Sequence, residues 1–63
     1  MSHSITTQNG KHIIDKKIRG EIIHALEHDV TYTYYDGIKI EIVSNKKSDD
    51  EWVTVVNVEG LWG

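Results

Sequence analysis

Cysteine, proline and phenylalanine are all absent from this 63-residue chain. Without cysteine there is no disulfide framework and no thiolate zinc knuckle, a composition that suits a reducing cytoplasm. Without proline nothing interrupts regular backbone hydrogen bonding, which favours helices and strands throughout. No apolar run approaches the roughly 20 residues of a membrane-spanning helix. Met1-Ser2-His3-Ser4 has neither the basic start nor the apolar stretch of a secretory signal. A single arginine, Arg19, cannot make an arginine-rich face. There is no Gly-rich phosphate loop, and the serines (Ser2, Ser4, Ser44 and Ser48) fall in a tail and a loop. Nucleophilic catalysis finds no support. The chain does not read as an enzyme.

Seven Lys/Arg stand against ten Asp/Glu, for a net charge of −3 on 7.2 kDa. That length allows one small domain, residues 1–63. Its apolar stock is nine Ile and six Val against only two Leu. Such β-branched side chains suit a pleated surface and lose rotamer freedom in helices, so sheet should dominate. A domain of this size buries only about 60% of its unfolded surface, which makes a second copy of the chain an expected source of stability.

Residues 1–11 are polar and lead into Asn9-Gly10, a tight-turn dipeptide. They read either as an edge strand, returning through residues 11–14, or as a disordered terminus. Residues 15–28 form a helix: Asp15 is a good N-cap, and Ile18, Ile22, Ala25 and Leu26 make one apolar stripe that Ile14 extends. Gly20 in mid-helix costs about 1 kcal/mol, less than the burial of that stripe returns. From Val30 the period falls to two. A three-residue loop with Gly37 in a bulge would pair Tyr34 with Ile38, Tyr32 with Ile40 and Val30 with Ile42, giving one wholly apolar face. A two-residue Asp36-Gly37 turn would instead put threonines among the isoleucines, so the first register is expected. The third strand, residues 52–58, is apolar on both sides. With Val53 and Val55 inward, Trp52, Thr54, Val56 and Val58 point outward beside Val43. Residues 59–63 form a tail. The expected fold is α+β, one helix packed on a three-stranded antiparallel meander in the order α-β-β-β, with an N-terminal edge strand where residues 1–11 are ordered.

Three constellations could carry function. The outward group Val43, Trp52, Val56, Val58 and Trp62 is too apolar for water and reads as a binding surface, since indole is favoured at interface hot spots. Asp49, Asp50 and Glu51 beside it would orient a partner. The competing reading is that the N-terminal segment, through Ile5 and Ile13, folds over this face. Second, Lys11, Lys16, Lys17 and Arg19 make the first nineteen residues net +3 and the remainder net −6, an asymmetry that could meet phosphates. Tyr32 and Tyr34 could stack on bases, but the expected register puts them under the helix. Third, residues 24–28 spell H-x-x-E-H, a metalloprotease pattern. On a helical wheel His24, His28 and Glu21 share a flank at about 240°, 280° and 300° from Ile18, whereas Glu27 points elsewhere. The three are weak metal candidates, and no cofactor is expected.

In size and composition the chain resembles the small, acidic, Pro- and Cys-free accessory proteins of phages and other mobile elements. That resemblance implies a protein that binds and inhibits a host partner, and it carries no residue across. The expected function is a non-enzymatic, homodimeric, cytoplasmic protein-binding module that occupies a partner's surface. Nucleic-acid binding through the basic helix start and metal binding through His24 and His28 are the alternatives.

Overall fold

The structure, a computed structural model, describes residues 2–59. It is α+β, with one helix and a four-stranded mixed sheet. The elements run β1 (Ser2–Thr7), α1 (Lys16–Glu27), β2 (Tyr32–Tyr35), β3 (Ile38–Lys47) and β4 (Glu51–Glu59). In space the strands lie β1-β4-β3-β2: the three later strands form an antiparallel meander, and β1 joins it parallel to β4. The N-terminal segment is thus a full strand of the sheet.

Local chemistry explains the helix. The Asp15 carboxylate accepts the N–H groups of Lys17 (2.9 Å) and Ile18 (3.2 Å), two of the donors a helix start leaves unpaired. At the far end Asp29 takes φ 59°, its N–H reaching Leu26 O (3.3 Å) while Val30 N–H reaches Ala25 O (3.0 Å). This is a Schellman stop with aspartate where glycine is commonest. Of the predicted stripe, Ile22 and Ala25 are buried, and Ile18 and Leu26 pack against the core. Ile14 does not belong to it. Residues 13–15 are not helical, so alternation buries Ile13 and leaves Ile14 84% exposed.

The hairpin register differs from the expected one. Tyr35 pairs with Ile38, Thr33 with Ile40 and Tyr32 with Glu41. Asp36 (φ 52°) and Gly37 (φ 78°) both sit in the left-handed region, the geometry of a two-residue turn whose twist matches the strands it joins. Turn geometry outweighs a uniformly apolar face because the one threonine this costs, Thr33, donates to Glu21 Oε2 (3.3 Å) from the helix above. Tyr32 and Tyr34 consequently leave the helix side, 47% and 58% exposed, and Val30 is 42% exposed.

The third strand is likewise inverted. Val56 is fully buried with Ile5, Ile13, Ile22 and Ile40, and Val58 packs against this cluster. Val53 and Val55 lie on the opposite face and are half-buried. Ile5 and Ile13 thus share a core with Val56, in line with the reading in which the N-terminal segment covers this face. β1 fixes the choice: its pairing puts Ile5 beside Thr54 and Thr7 beside Val56, so the side of β4 that receives α1 is settled by a segment fifty residues earlier.

Candidate functional site

Two surfaces of the sheet carry chemistry. The first lies on the helix side, at the far end of the β3–β4 hairpin. Between Ile42, which faces Val56, and Ser44, which faces Val55, the register slips by one residue at Val43. This bulge reverses the alternation of β3, so that Asn45 and Lys47 lie beside Thr54 and Trp52 on the face that Ile40 and Ile42 occupy higher up. His3 of β1 completes the group.

Its hydrogen atoms can be assigned by elimination. The Trp52 indole only donates, and it donates to Asn45 Oδ1, which fixes the orientation of that amide. Thr54 Oγ1 donates to the same oxygen (2.9 Å). Its remaining capacity is as an acceptor, so the contact of 2.8 Å with His3 is an Nε2–H donating to Thr54. The His3 and Trp52 rings stack in parallel at 3.9 Å, and the Lys47 ammonium lies 4.7 Å from the Trp52 ring centre. Arg19 holds the strand below, giving Nη2–H to His3 O (2.8 Å) and Nη1–H to Ile13 O (3.2 Å). Burial first, then the positive charges of Arg19 and Lys47, hold His3 below the usual histidine value of 6.5. Every strong group here answers to another within the protomer, which makes the cluster a clasp joining β1, β3, β4 and α1.

The second surface is the open face. One twelve-residue helix lies on one side of the sheet, and among the described residues there is no second helix to cover the other. Register and alternation place there Tyr32 and Tyr34 of β2, Lys39, Glu41 and Lys46 of β3, and Glu51, Val53, Val55, Asn57 and Glu59 of β4. The Tyr32 and Tyr34 rings meet edge to face at 5.8 Å, and Lys39 Nζ lies 5.4 Å from the Tyr32 centre. Val43, at the bulge, is 47% exposed.

The residues singled out from sequence are scattered by this geometry. Val56 is in the core and Trp52 is in the clasp, so neither is a free outward anchor; Val58 is half-buried on the helix side. Trp62 lies outside the described residues. Asp49 and Asp50 occupy the exposed β3–β4 turn, closed by Ser48 N–H and Oγ–H on Glu51 O (2.7 and 3.0 Å). Lys11, Lys16 and Lys17 are exposed, but Arg19 is committed to two carbonyl oxygens. His24 and His28 are exposed with ring centres 4.0 Å apart, while Glu21 is turned to Thr33. Among the described residues no three His, Cys, Asp or Glu side chains gather as a metal site would require. No described helix is long and apolar enough to cross a membrane.

Two open hollows are found among the described residues. One of about 310 Å³ is lined by Thr7, Gln8, Asn9, Asn57 and Val58, with no titratable side chain among them. The other, of about 200 Å³, lies between the helix start and residues 11–14, with Ile14 on its rim. Sequence reasoning missed the clasp and the open face together, because both depend on the Val43 bulge and the two-residue turn. The Asp36-Gly37 dipeptide was the available signal for the second. Comparison with protein-family models, curated proteins and solved structures finds no match to this chain.

Proposed function

We propose that the protein is a non-enzymatic protein-binding module that acts by occupying a partner's surface through the open face of its sheet. The observation that carries this reading is the composition of that face. An antiparallel sheet covered on one side normally turns polar residues to water on the other. Here Tyr32 and Tyr34 on β2 and Val53 and Val55 on β4 occupy it, with Val43 exposed at the bulge and with Ser4, Thr6 and Ser44 beside the valines. Their charged neighbours are of both signs, Lys39 and Lys46 against Glu41, Glu51 and Glu59. Apolar and aromatic side chains interleaved with charges of both signs match a protein surface. The acidic turn at Asp49 and Asp50 extends the same end of the sheet and would set orientation.

The test compares the tagged wild-type chain with Val55→Lys, which alters the open face and leaves the Val56 core untouched. The partner retained from the producing cells is identified, purified and titrated against both forms by calorimetry. The reading expects at least a tenfold weaker complex for Val55→Lys, about 1.4 kcal/mol, with an unchanged circular dichroism spectrum. Equal affinity of the two forms would overturn it.

A second reading is favoured by one feature, the exposed Tyr32–Tyr34 pair with Lys39 over a ring, since bases stack on aromatic side chains of open sheets. The three glutamates of the face oppose it, because affinity for nucleic acid comes mainly from neutralised phosphates. It expects a short single-stranded oligonucleotide to bind at low salt and to be released steeply as salt rises. Salt-indifferent or absent binding removes it.

A further inference from the structure

The two edges of the sheet are treated differently. On β1 each of the outward residues His3, Ile5 and Thr7 has a main-chain group engaged. His3 O accepts from Arg19 (2.8 Å), Ile5 O accepts from Ile13 N–H (2.9 Å), and Thr7 N–H donates to Lys11 O (2.9 Å). On β2 the parity is set by Ile42 N–H donating to Thr31 O (2.8 Å) and by the Thr33–Ile40 and Tyr35–Ile38 pairings. Residues 31, 33 and 35 therefore turn their N–H and C=O groups toward β3. Those of Tyr32 and Tyr34 turn outward, along the free edge. Exposed edges are ordinarily blunted by shortness, lysine, proline, a bulge or an inward charge. The strand Tyr32-Thr33-Tyr34-Tyr35 is short, at four residues, and has none of the other devices.

We infer that β2 is a dimerisation edge, pairing antiparallel with β2 of a second copy about a two-fold axis at Thr33. The register is fixed by the outward groups themselves. With Thr33 opposite its own symmetry mate, Tyr32 of one protomer lies opposite Tyr34 of its partner. These are the two residues whose main-chain donors and acceptors are outward, so each pair exchanges two hydrogen bonds and the axis generates the other two. A shift of the pairing by one residue would put outward groups opposite inward ones and form no ladder, and an axis at Tyr32 or Tyr34 would keep one outward pair of the strand in place of two. The contact is isologous, as a closed dimer requires, and it joins the two sheets into one of eight strands. Tyr32 and Tyr34 carry their rings on the open face, away from α1. The intramolecular edge-to-face pair at 5.8 Å thereby becomes a cluster of four rings across the axis. A second copy is favoured over an unrelated peptide because the edge is complementary to itself in both hydrogen bonding and side-chain size. Pairing at this edge is made by main-chain groups and does not depend on what the open face binds.

The small contact predicts a dimer that dissociates within the micromolar to millimolar range. Sedimentation equilibrium of the full chain across that range should show a mass rising from 7.2 kDa toward twice that value. Amide exchange followed by NMR should show protection of the Tyr32 and Tyr34 N–H groups that grows with concentration, whereas Thr33 and Tyr35 are protected at every concentration. Tyr34→Lys, at a site already 58% exposed, places like charges across the axis and should leave a folded monomer. Tyr34→Pro removes one outward N–H without touching the ladder to β3, and should likewise abolish association. A wild-type monomer at millimolar concentration overturns the inference. So does a dimer that survives Tyr34→Lys, or one whose Tyr32 and Tyr34 amides exchange at a concentration-independent rate.

Discussion

Asp29 and Asp36 hold backbone angles that L-residues other than Asn and Asp seldom adopt, with φ of 59° and 52°. The left-handed region costs such residues about 1–2 kcal/mol, partly relieved for Asp by local hydrogen bonding. Glycine removes that cost but adds about 0.5–1 kcal/mol of unfolded-chain entropy. Asp29→Gly should therefore stabilise the fold by about 0.5–1 kcal/mol, read as a melting temperature higher by about 2–8 °C for a domain of this size. An unchanged or lower melting temperature would mean that the Asp29 side chain contributes more to the helix stop than its backbone costs. At the same scale the helix was readable in advance. Asp15 as cap and Ile22 and Ala25 as buried positions follow from spacing alone. Ile14 was not, since it precedes the Asp15 cap, where the extended chain alternates and turns Ile13 inward and Ile14 out.

At the scale of elements, the Val43 bulge has the widest consequences. It brings Asn45 against Trp52 and Thr54, and it lets β3 serve a core in one half and a polar clasp in the other. Deleting Val43 would leave Ser44 against Val55 and Asn45 against Thr54, a regular ladder with the clasp in place. Asn45→Ala instead removes the shared acceptor, so two side-chain hydrogen bonds would be lost and the buried Thr54 hydroxyl deprived of its acceptor, together about 2–4 kcal/mol. The urea midpoint should fall accordingly with little change in slope. A midpoint within error of wild type would show that the clasp adds nothing to stability. Nothing in residues 38–47 announces this bulge. A period of two continues plausibly through it, and only pairing with β4 reveals that one residue is extra. The two-residue turn is written in Asp36-Gly37, and its geometry prevails over a uniform apolar face. In fact one inward threonine is readily tolerated once a carboxylate from the helix reaches it.

Across the whole molecule, the clasp ties the first strand to the last hairpin through His3. Its pKa lies below 6.5 in the folded state because of burial, Arg19 and Lys47, so the unfolded chain binds the proton more readily. Stability therefore rises with pH in this window. The contribution of neutral His3 is fully present above about 6.5 and is lost as pH falls from there toward the folded value. Stacking on Trp52 and donation to Thr54 persist in His3→Gln only in part, and that variant has no titration at this site. The stability advantage of wild type over His3→Gln should be largest near neutrality and shrink below pH 6.5, measured by urea unfolding at several pH values. A difference that stays constant with pH would disprove the coupling.

Composition and spacing alone determined that this chain is a small α+β domain, where its helix lies, and that its later half is strands joined by tight turns. Those properties are local: they depend on residues within one turn of helix or a few steps of strand. Which face of each strand meets the helix was decided by the tertiary structure. β4 is apolar on both faces, and its orientation is chosen by β1, the bulge and Arg19, all of which act across long separations in sequence. A period-two pattern names two faces but cannot say which is inside; only the strand laid beside it can.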